Sequence, residues 1–190
     1  VSYGELISTF IINSYFIEEK LKTNFIDARN CIKTDSNYRG GNIIWDKTNE
    51  NIRDNIKINQ LNLTQGFIAS DKNNFNVTLG REGSDYSAAI FAFAVNAESL
   101  TIWKDVKGLL NGDPKYFKNT ELIKTISYSE AIELAFYGAS VIHPKTLQPL
   151  QKKEIPLYVK SFEKPDQNGT EINKNLKLSP KVPCYIFKNK

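Results

Sequence analysis

Apolar residues recur along the chain in two rhythms, one of helical spacing and one of short runs. Leu6, Ile7, Phe10, Ile11, Ile17 and Leu21 fall at helical spacing, which predicts an amphipathic helix over roughly 4–21. Short apolar runs at 24–28 and 61–69 read as strands, the second interrupted at Gly66, and 43–45 reads as a strand edge. The segment 34–42 collects Asp, Ser, Asn, Arg and two glycines and reads as a loop, while 47–58 reads as an exposed helix. A turn at Asp71-Lys72-Asn73-Asn74 precedes a strand at 77–79. Gly80-Arg81-Glu82-Gly83 then leads into a helix over about 84–96, whose Tyr86, Ala89, Ile90, Phe93, Ala94 and Ala97 form one apolar stripe.

Further on, 100–103 is a strand that ends at Lys104-Asp105, and 107–119 is a Gly/Asn/Asp/Pro loop. Ser127 and Glu130 have capping-box spacing, so a helix starts there and stops near Gly138. Pro144 suits the first position of another helix, to about Lys153, which Pro149 should shorten or kink. Strands are expected at 156–160 and 169–172. The Lys/Asn-rich segment after them reads as a linker over 173–190, in which 184–187 begins another element. Strands alternating with helices predict an α/β layer structure with a mainly parallel sheet. Ligands in such sheets bind beyond the carboxyl ends of the strands. Residues 80–85 and 104–113 lie there.

Composition narrows the picture. The chain has 190 residues, 41% hydrophobic and 24% charged, as in an ordinary globular domain with a sizeable core. Lys and Arg exceed Asp and Glu by 25 to 21, and the net charge of +4 is too mild and too scattered to point to nucleic acid. Cys31 and Cys184 stand in no metal or redox spacing, and with no signal peptide they fit a reducing, cytoplasmic setting. No apolar run reaches membrane-spanning length; Ala88–Val95 is far too short. The chain opens with Val1-Ser2-Tyr3-Gly4-Glu5 and enters an apolar-periodic segment at once, which reads as a fragment of a longer domain.

The segment Thr78-Leu79-Gly80-Arg81-Glu82-Gly83-Ser84-Asp85 carries the clearest chemistry. A strand ends, glycines let the backbone turn tightly, and a helix begins. Backbone amides at that helix start favour an anion, and Arg81 adds a planar fork for a carboxylate or phosphate. A plain strand–turn–helix with Ser84 as N-cap and Asp85 in the first turn explains the same residues. The one histidine, His143, precedes a proline at a helix start and reads as structural; no Cys or carboxylate cluster surrounds it as metal ligands.

The string TLGREGSDYSAA resembles the aspartate kinase signature TLGRGGSDYTAA. Thr64–Ile68 matches the family's TQGFI strand, and Ile102–Gly108 resembles IWTDVDG. Asn111–Lys115 resembles TADPR, Tyr137–Pro144 resembles FGAKVLHP, and Val1–Thr9 resembles SFGELLST. These blocks occur in family order over roughly 1–172. The resemblance implies an amino-acid kinase-like three-layer α/β/α sandwich and ATP-dependent phosphorylation of the L-aspartate side-chain carboxylate, with Mg2+ accompanying ATP. The product is 4-phospho-L-aspartate, the entry to lysine, threonine and methionine synthesis, and the full-length protein is expected to be a homo-oligomer.

By resemblance, Arg81 holds the substrate α-carboxylate, Glu5 faces its ammonium, and Ser84 lines the pocket. Asp85 is the catalytic-block carboxylate that orients a phosphate-binding lysine lying outside this chain. Lys104, Asp105, Leu110, Asp113, Lys115, Ser140 and Val141 fall on the nucleotide side. Such a reaction needs positioning and positive charge, and a carboxylate nucleophile, already ionised at neutral pH, needs no general base. The family's phosphate-binding KFGGTS-like loop has no counterpart here, so the chain alone is expected to be inactive.

Some positions depart from the pattern. Glu82 replaces a glycine, and must point away from the anion or meet a cation. Ser140 stands where many members carry a nucleotide-contacting lysine, Lys104 where Thr is usual, and Lys115 replaces Arg. Lys104 is expected to supply the charge that Ser140 lacks. Kinases for glutamate, carbamate or uridylate fit the Glu5 and Arg81 blocks less well. A non-catalytic binding domain that kept the fold, and the kinase half of a fusion with homoserine dehydrogenase, are the other readings.

Overall fold

A computed structural model describes residues 2–136, 141–181 and 183–184. The expected end of a helix near Gly138, Ser140, and the segment beginning at 185 lie outside the described residues. The chain divides into two units, Val1–Val95 and Asn96–Lys190.

The first unit runs α1 (Ser2–Glu18), β1 (Thr23–Ile26), α2 (Ala28–Cys31), α3 (Trp45–Asn55), β2 (Leu61–Thr64), β3 (Ile68–Ser70), β4 (Asn76–Thr78) and α4 (Gly83–Val95). β1 and β2 pair in parallel from Thr23–Leu61 to Ile26–Thr64. β3 and β4 form an antiparallel hairpin, Ile68 opposite Thr78. The apolar run at 61–69 is therefore two strands in two sheets, separated around Gly66. Ile26, Cys31, Ile32, Ile52, Ala69, Val77, Leu79, Ile90 and Ala94 make the core, with Trp45 packed edge-on to Phe93 at 5.0 Å. Burial pushes the Cys31 thiol up to about 11. Most of the expected α4 stripe faces inward: Ala89, Ile90, Phe93 and Ala94 are buried and Tyr86 half-buried, while Ala97 lies beyond the end of the helix at Val95. Arg53 Nε donates to the Ala94 carbonyl at 2.9 Å, which caps the last turn of α4 from α3.

α1 departs from the amphipathic expectation. Its buried residues are Thr9 and Asn13, while Tyr3, Ile7, Phe10, Ile11, Tyr15 and Ile17 are exposed. No charge interrupts residues 6–17, so apolar side chains cover nearly the whole circumference and periodicity cannot choose the inward face. The inward face carries the polar Thr9 and Asn13. Asn13 Oδ1 accepts from Thr23 Oγ1 at 3.0 Å, and Thr9 Oγ1 donates to the Glu5 carbonyl at 2.7 Å.

The second unit runs β5 (Leu100–Lys104), β6 (Thr125–Ile126), α5 (Tyr128–Phe136), α6 (Pro144–Lys153), β7 (Leu157–Ser161) and β8 (Thr170–Ile172). Its sheet has the order β5-β7-β8-β6. β5–β7 and β6–β8 are parallel, and β7–β8 is antiparallel. Leu100 pairs with Leu157, and Thr125 with Glu171. The capping box forms as the spacing predicts. The Ser127 amide and hydroxyl both donate to the Glu130 carboxylate, at 2.9 and 2.6 Å, and the Glu130 amide returns a bond to Ser127 Oγ. These bonds hold the Glu130 carboxyl below its ordinary value. α6 begins at Pro144 and continues past Pro149 to Lys153, so Pro149 does not shorten it. His143 caps it, its Nδ1 accepting from the Lys145 amide at 3.2 Å, the structural role expected of it.

Candidate functional site

Strand β4 delivers the chain into Gly80–Asp85. The Leu79 amide donates to the Phe67 carbonyl at 2.9 Å, and Gly83 N–H closes a turn on the Gly80 carbonyl at 3.1 Å. Gly80 has φ +80°, and Glu82 has φ +53°. A left-handed backbone at position 82 would suit a glycine, and Glu82 carries that strain instead. α4 starts immediately, and its first helical bond is made by the Tyr86 amide to the Glu82 carbonyl. The amides of Ser84 and Asp85 lie in the first turn, before that bond. Arg81 and Ser84 are exposed there, and Asp85 is half-buried in the first turn, where a carboxylate suits the helix dipole.

The turn is locked against Gln65-Gly66-Phe67. A Cβ on Gly66 would lie 3.0 Å from Ser84 Cα, and one on Gly83 would lie 2.6 Å from Phe67 Cδ2. Ser87 Oγ donates to the Gly83 carbonyl and accepts from the Phe67 amide, both at 2.8 Å. Phe67 itself has φ +69°, a strained backbone for an aromatic residue that periodicity could not reveal. At the carboxyl end of β2, Thr64 Oγ1 and Gln65 Nε2 are buried polar atoms without a hydrogen-bond partner among the described residues. Gln65 Oε1 is satisfied by the Ala28 amide at 2.8 Å.

Glu5 lies in the first turn of α1. Asn13 of α1 bonds Thr23 at the start of β1, so α1 runs antiparallel to that strand. Eight residues of helix back from Asn13 is about 12 Å, close to the length of a four-residue strand. That returns Glu5 to the carboxyl ends of β1 and β2. A tether fixes the arrangement. Asn76 of β4 donates to Ser2 Oγ at 3.4 Å and accepts from Arg29, whose guanidinium grips Asp27 with Nη2 at 2.6 Å. The guanidinium holds the Asp27 carboxyl below its ordinary value. The structure thus places Arg81, Ser84 and Asp85 together where β4 passes into α4, and Glu5 in the first turn of α1.

The nucleotide-side candidates belong to the second unit. Lys104 ends β5 and its carbonyl accepts from the Phe162 amide at 3.0 Å; Asp105 follows, exposed, beyond the carboxyl ends of β5 and β7. The chain then makes a closed excursion. Leu110 bridges Leu122, the Ile123 amide donates to the Leu109 carbonyl, and Asn111 Oδ1 accepts from the Glu121 amide at 2.7 Å. Asp113 and Lys115 are exposed at its tip, where Asp113 Oδ1 accepts from the Lys115 amide at 2.8 Å. Asn111, buried, clamps the base of the excursion, a role that its place at the head of the Asn111–Lys115 block does not announce. Val141 is half-buried before α6. The described residues include no group of three or more His, Cys, Asp or Glu placed to hold a metal.

Residues 1–161 match the Amino acid kinase family, and the chain belongs to it. Within that family its likeness is to aspartokinases. It is 38% identical over 90% of its length to the bifunctional aspartokinase/homoserine dehydrogenase of Buchnera aphidicola, and 35% identical, again over 90%, to the lysine-sensitive aspartokinase 3 of Escherichia coli. The crystal structure of E. coli aspartokinase III in complex with aspartate and ADP superposes over 93% of the chain, with a TM-score of 0.88 and 33% identity. The fold is that of the amino-acid kinases. The chain spans 21% of the length of the Buchnera relative and 39% of the E. coli one.

Proposed function

We propose that the full-length protein containing this chain is an aspartate kinase, transferring the γ-phosphoryl group of ATP to the side-chain carboxylate of L-aspartate. The observation that carries the reading is the Gly80–Asp85 turn, with Arg81 exposed at a helix start and locked to Gln65–Phe67. It lies in a chain that superposes on an aspartokinase holding aspartate and ADP. Arg81 grips the α-carboxylate and Glu5 accepts from the ammonium, which leaves the side-chain carboxylate as the free nucleophile. Its oxygen forms the new bond to phosphorus as the bond to the ADP oxygen breaks, giving 4-phospho-L-aspartate and ADP. Ser84 lines the pocket, and Asp85 orients a phosphate-binding lysine. Lys104, Asp105, Leu110, Asp113, Lys115, Ser140 and Val141 serve ATP. Bound Mg2+ supplies charge neutralisation at the phosphates.

Residues 1–172 act as the C-terminal part of the kinase domain, and 173–190 as a linker. A cytoplasmic homo-oligomer at the entry to lysine, threonine and methionine synthesis completes the reading. The likeness to the Buchnera protein favours, as a second reading, the kinase half of a fusion with homoserine dehydrogenase. ADP release that depends on aspartate tests the function. The full-length protein is expected to show it and the 190-residue chain to show none. ADP release by the full-length protein that ignores aspartate would reject the reading.

Lys104 and Ser140 give a second test. A full-length Lys104→Thr variant is expected to bind ATP more weakly, and Ser140→Lys added to it to restore binding. Unchanged ATP affinity in the single variant leaves Lys104 with a structural role alone.

A further inference from the structure

Asp71 is fully buried, at the β3–β4 turn of the first unit. One carboxylate oxygen, Oδ1, accepts from the amides of Asn73 and Phe75, both at 2.9 Å, and closes that turn. The other, Oδ2, reaches a different segment, accepting from Ser36 Oγ at 3.0 Å and Tyr38 Oη at 3.5 Å. Burial works against its charge, and these donors more than offset it, holding the carboxyl below its ordinary value.

The segment so held, residues 34–42, is a strap closed on itself. Thr34 bridges Ile43, the Asp35 amide donates to the Asn42 carbonyl, and the Asp35 carboxylate accepts from the amides of Asn37 and Asn42 and from Asn42 Nδ2. Its tip lies along the end of β4. The Thr78 amide and hydroxyl donate to the Tyr38 carbonyl at 3.0 and 3.1 Å, and the Gly41 amide donates to the Thr78 carbonyl at 3.2 Å. This approach needs Gly41, where a Cβ would lie 2.7 Å from Val77 Cγ1. A Cβ on Gly80 would touch the Arg39 carbonyl at 3.4 Å, so the strap continues over the anion-binding turn itself.

We infer that Asp71 is a positioning residue for the substrate site: it fastens the 34–42 strap to the β3–β4 hairpin, and the strap fixes the backbone that presents Arg81 and Ser84. Its effect on catalysis rests on the aspartate kinase reading above. The fastening does not. Two rigid attachments on one carboxylate hold the strap and the strand leading to Gly80 in a single register, which is how supporting groups set a binding turn to sub-ångström tolerance.

The cleanest variant removes only the strap-side donors, Ser36→Ala with Tyr38→Phe, both at exposed positions that leave the hairpin amides their acceptor. Asp71→Ala removes both attachments and serves as the stronger case. In the full-length protein, hydrogen exchange followed by mass spectrometry is expected to quicken in peptides containing Gly41 and Thr78. The KM for aspartate is expected to rise about three- to tenfold while that for ATP holds. Unchanged exchange in the double variant overturns the inference, and so does quicker exchange with an unaltered aspartate KM. A wild-type protein that does not phosphorylate aspartate overturns the functional reading instead, and the exchange measurement still decides whether Asp71 fastens the strap.

Discussion

Arg81→Lys in the full-length protein is expected to raise the KM for aspartate about five- to 150-fold, equivalent to about 1–3 kcal/mol, with the KM for ATP unmoved. The size of the effect follows from how Arg81 is held. Gly80 and Glu82 on either side have left-handed backbones, and Gly83 closes the turn on Gly80, so the side chain leaves from a fixed base. A planar fork on such a base meets both oxygens of an α-carboxylate at once. Lysine restores the charge from a flexible stem and loses the second parallel bond. Steady-state kinetics with each substrate varied separately reads the difference. A rise confined to ATP would make Arg81 a phosphate ligand and move the aspartate site elsewhere.

Gly169→Ala should unfold or severely weaken the second unit, by about 3 kcal/mol or more. Gly169 has φ +67° at the start of the β8 segment, and an added Cβ would lie 2.0 Å from the Val159 carbonyl oxygen and 3.0 Å from its carbon. Both atoms are backbone of the inner strand β7, so no rotamer can relieve the overlap. Strain in φ and a clash with the sheet act together. Urea unfolding of the variant against wild type measures the loss; a midpoint shift worth under about 1 kcal/mol would mean that the β7–β8 connection adapts more freely than its packing allows.

What the sequence made legible was chiefly what short-range chemistry decides. Ser127 and Glu130 signal a helix start because their side chains satisfy each other's amides, and they do so here. Pro144 marks another start, and the stripe from Ala89 to Ala94 is buried in a helix that is apolar on nearly every side from Ala88 to Val95. The Gly80–Asp85 turn was visible because only certain residues tolerate its backbone. Other features depend on partners far along the chain. Which side of α1 faces inward is set by Asn13 meeting Thr23, against the run of its hydrophobic residues. The two residues of β6 become a strand only because β8 lies beside them, and nothing in Thr125-Ile126 announces it. The strained backbone of Phe67 follows from the contact between two glycine-bearing segments, and so does the fit of Gly66 against Ser84. Asp71 reads as an ordinary turn aspartate until the strap that it fastens is seen.

The strand pairings also order events as the polypeptide leaves the ribosome. Every strand of the first unit has found its partner once Thr78 has emerged, since β1 pairs with β2 and β3 with β4. The second unit cannot proceed in that way. Leu100 must wait for Leu157, and Thr125 for Glu171, before either edge of the sheet has a neighbour. β5 and β6 therefore emerge early and stay unmatched until β7 and β8 arrive, which makes the second half the slower to close and the one that nascent-chain chaperones have most reason to guard.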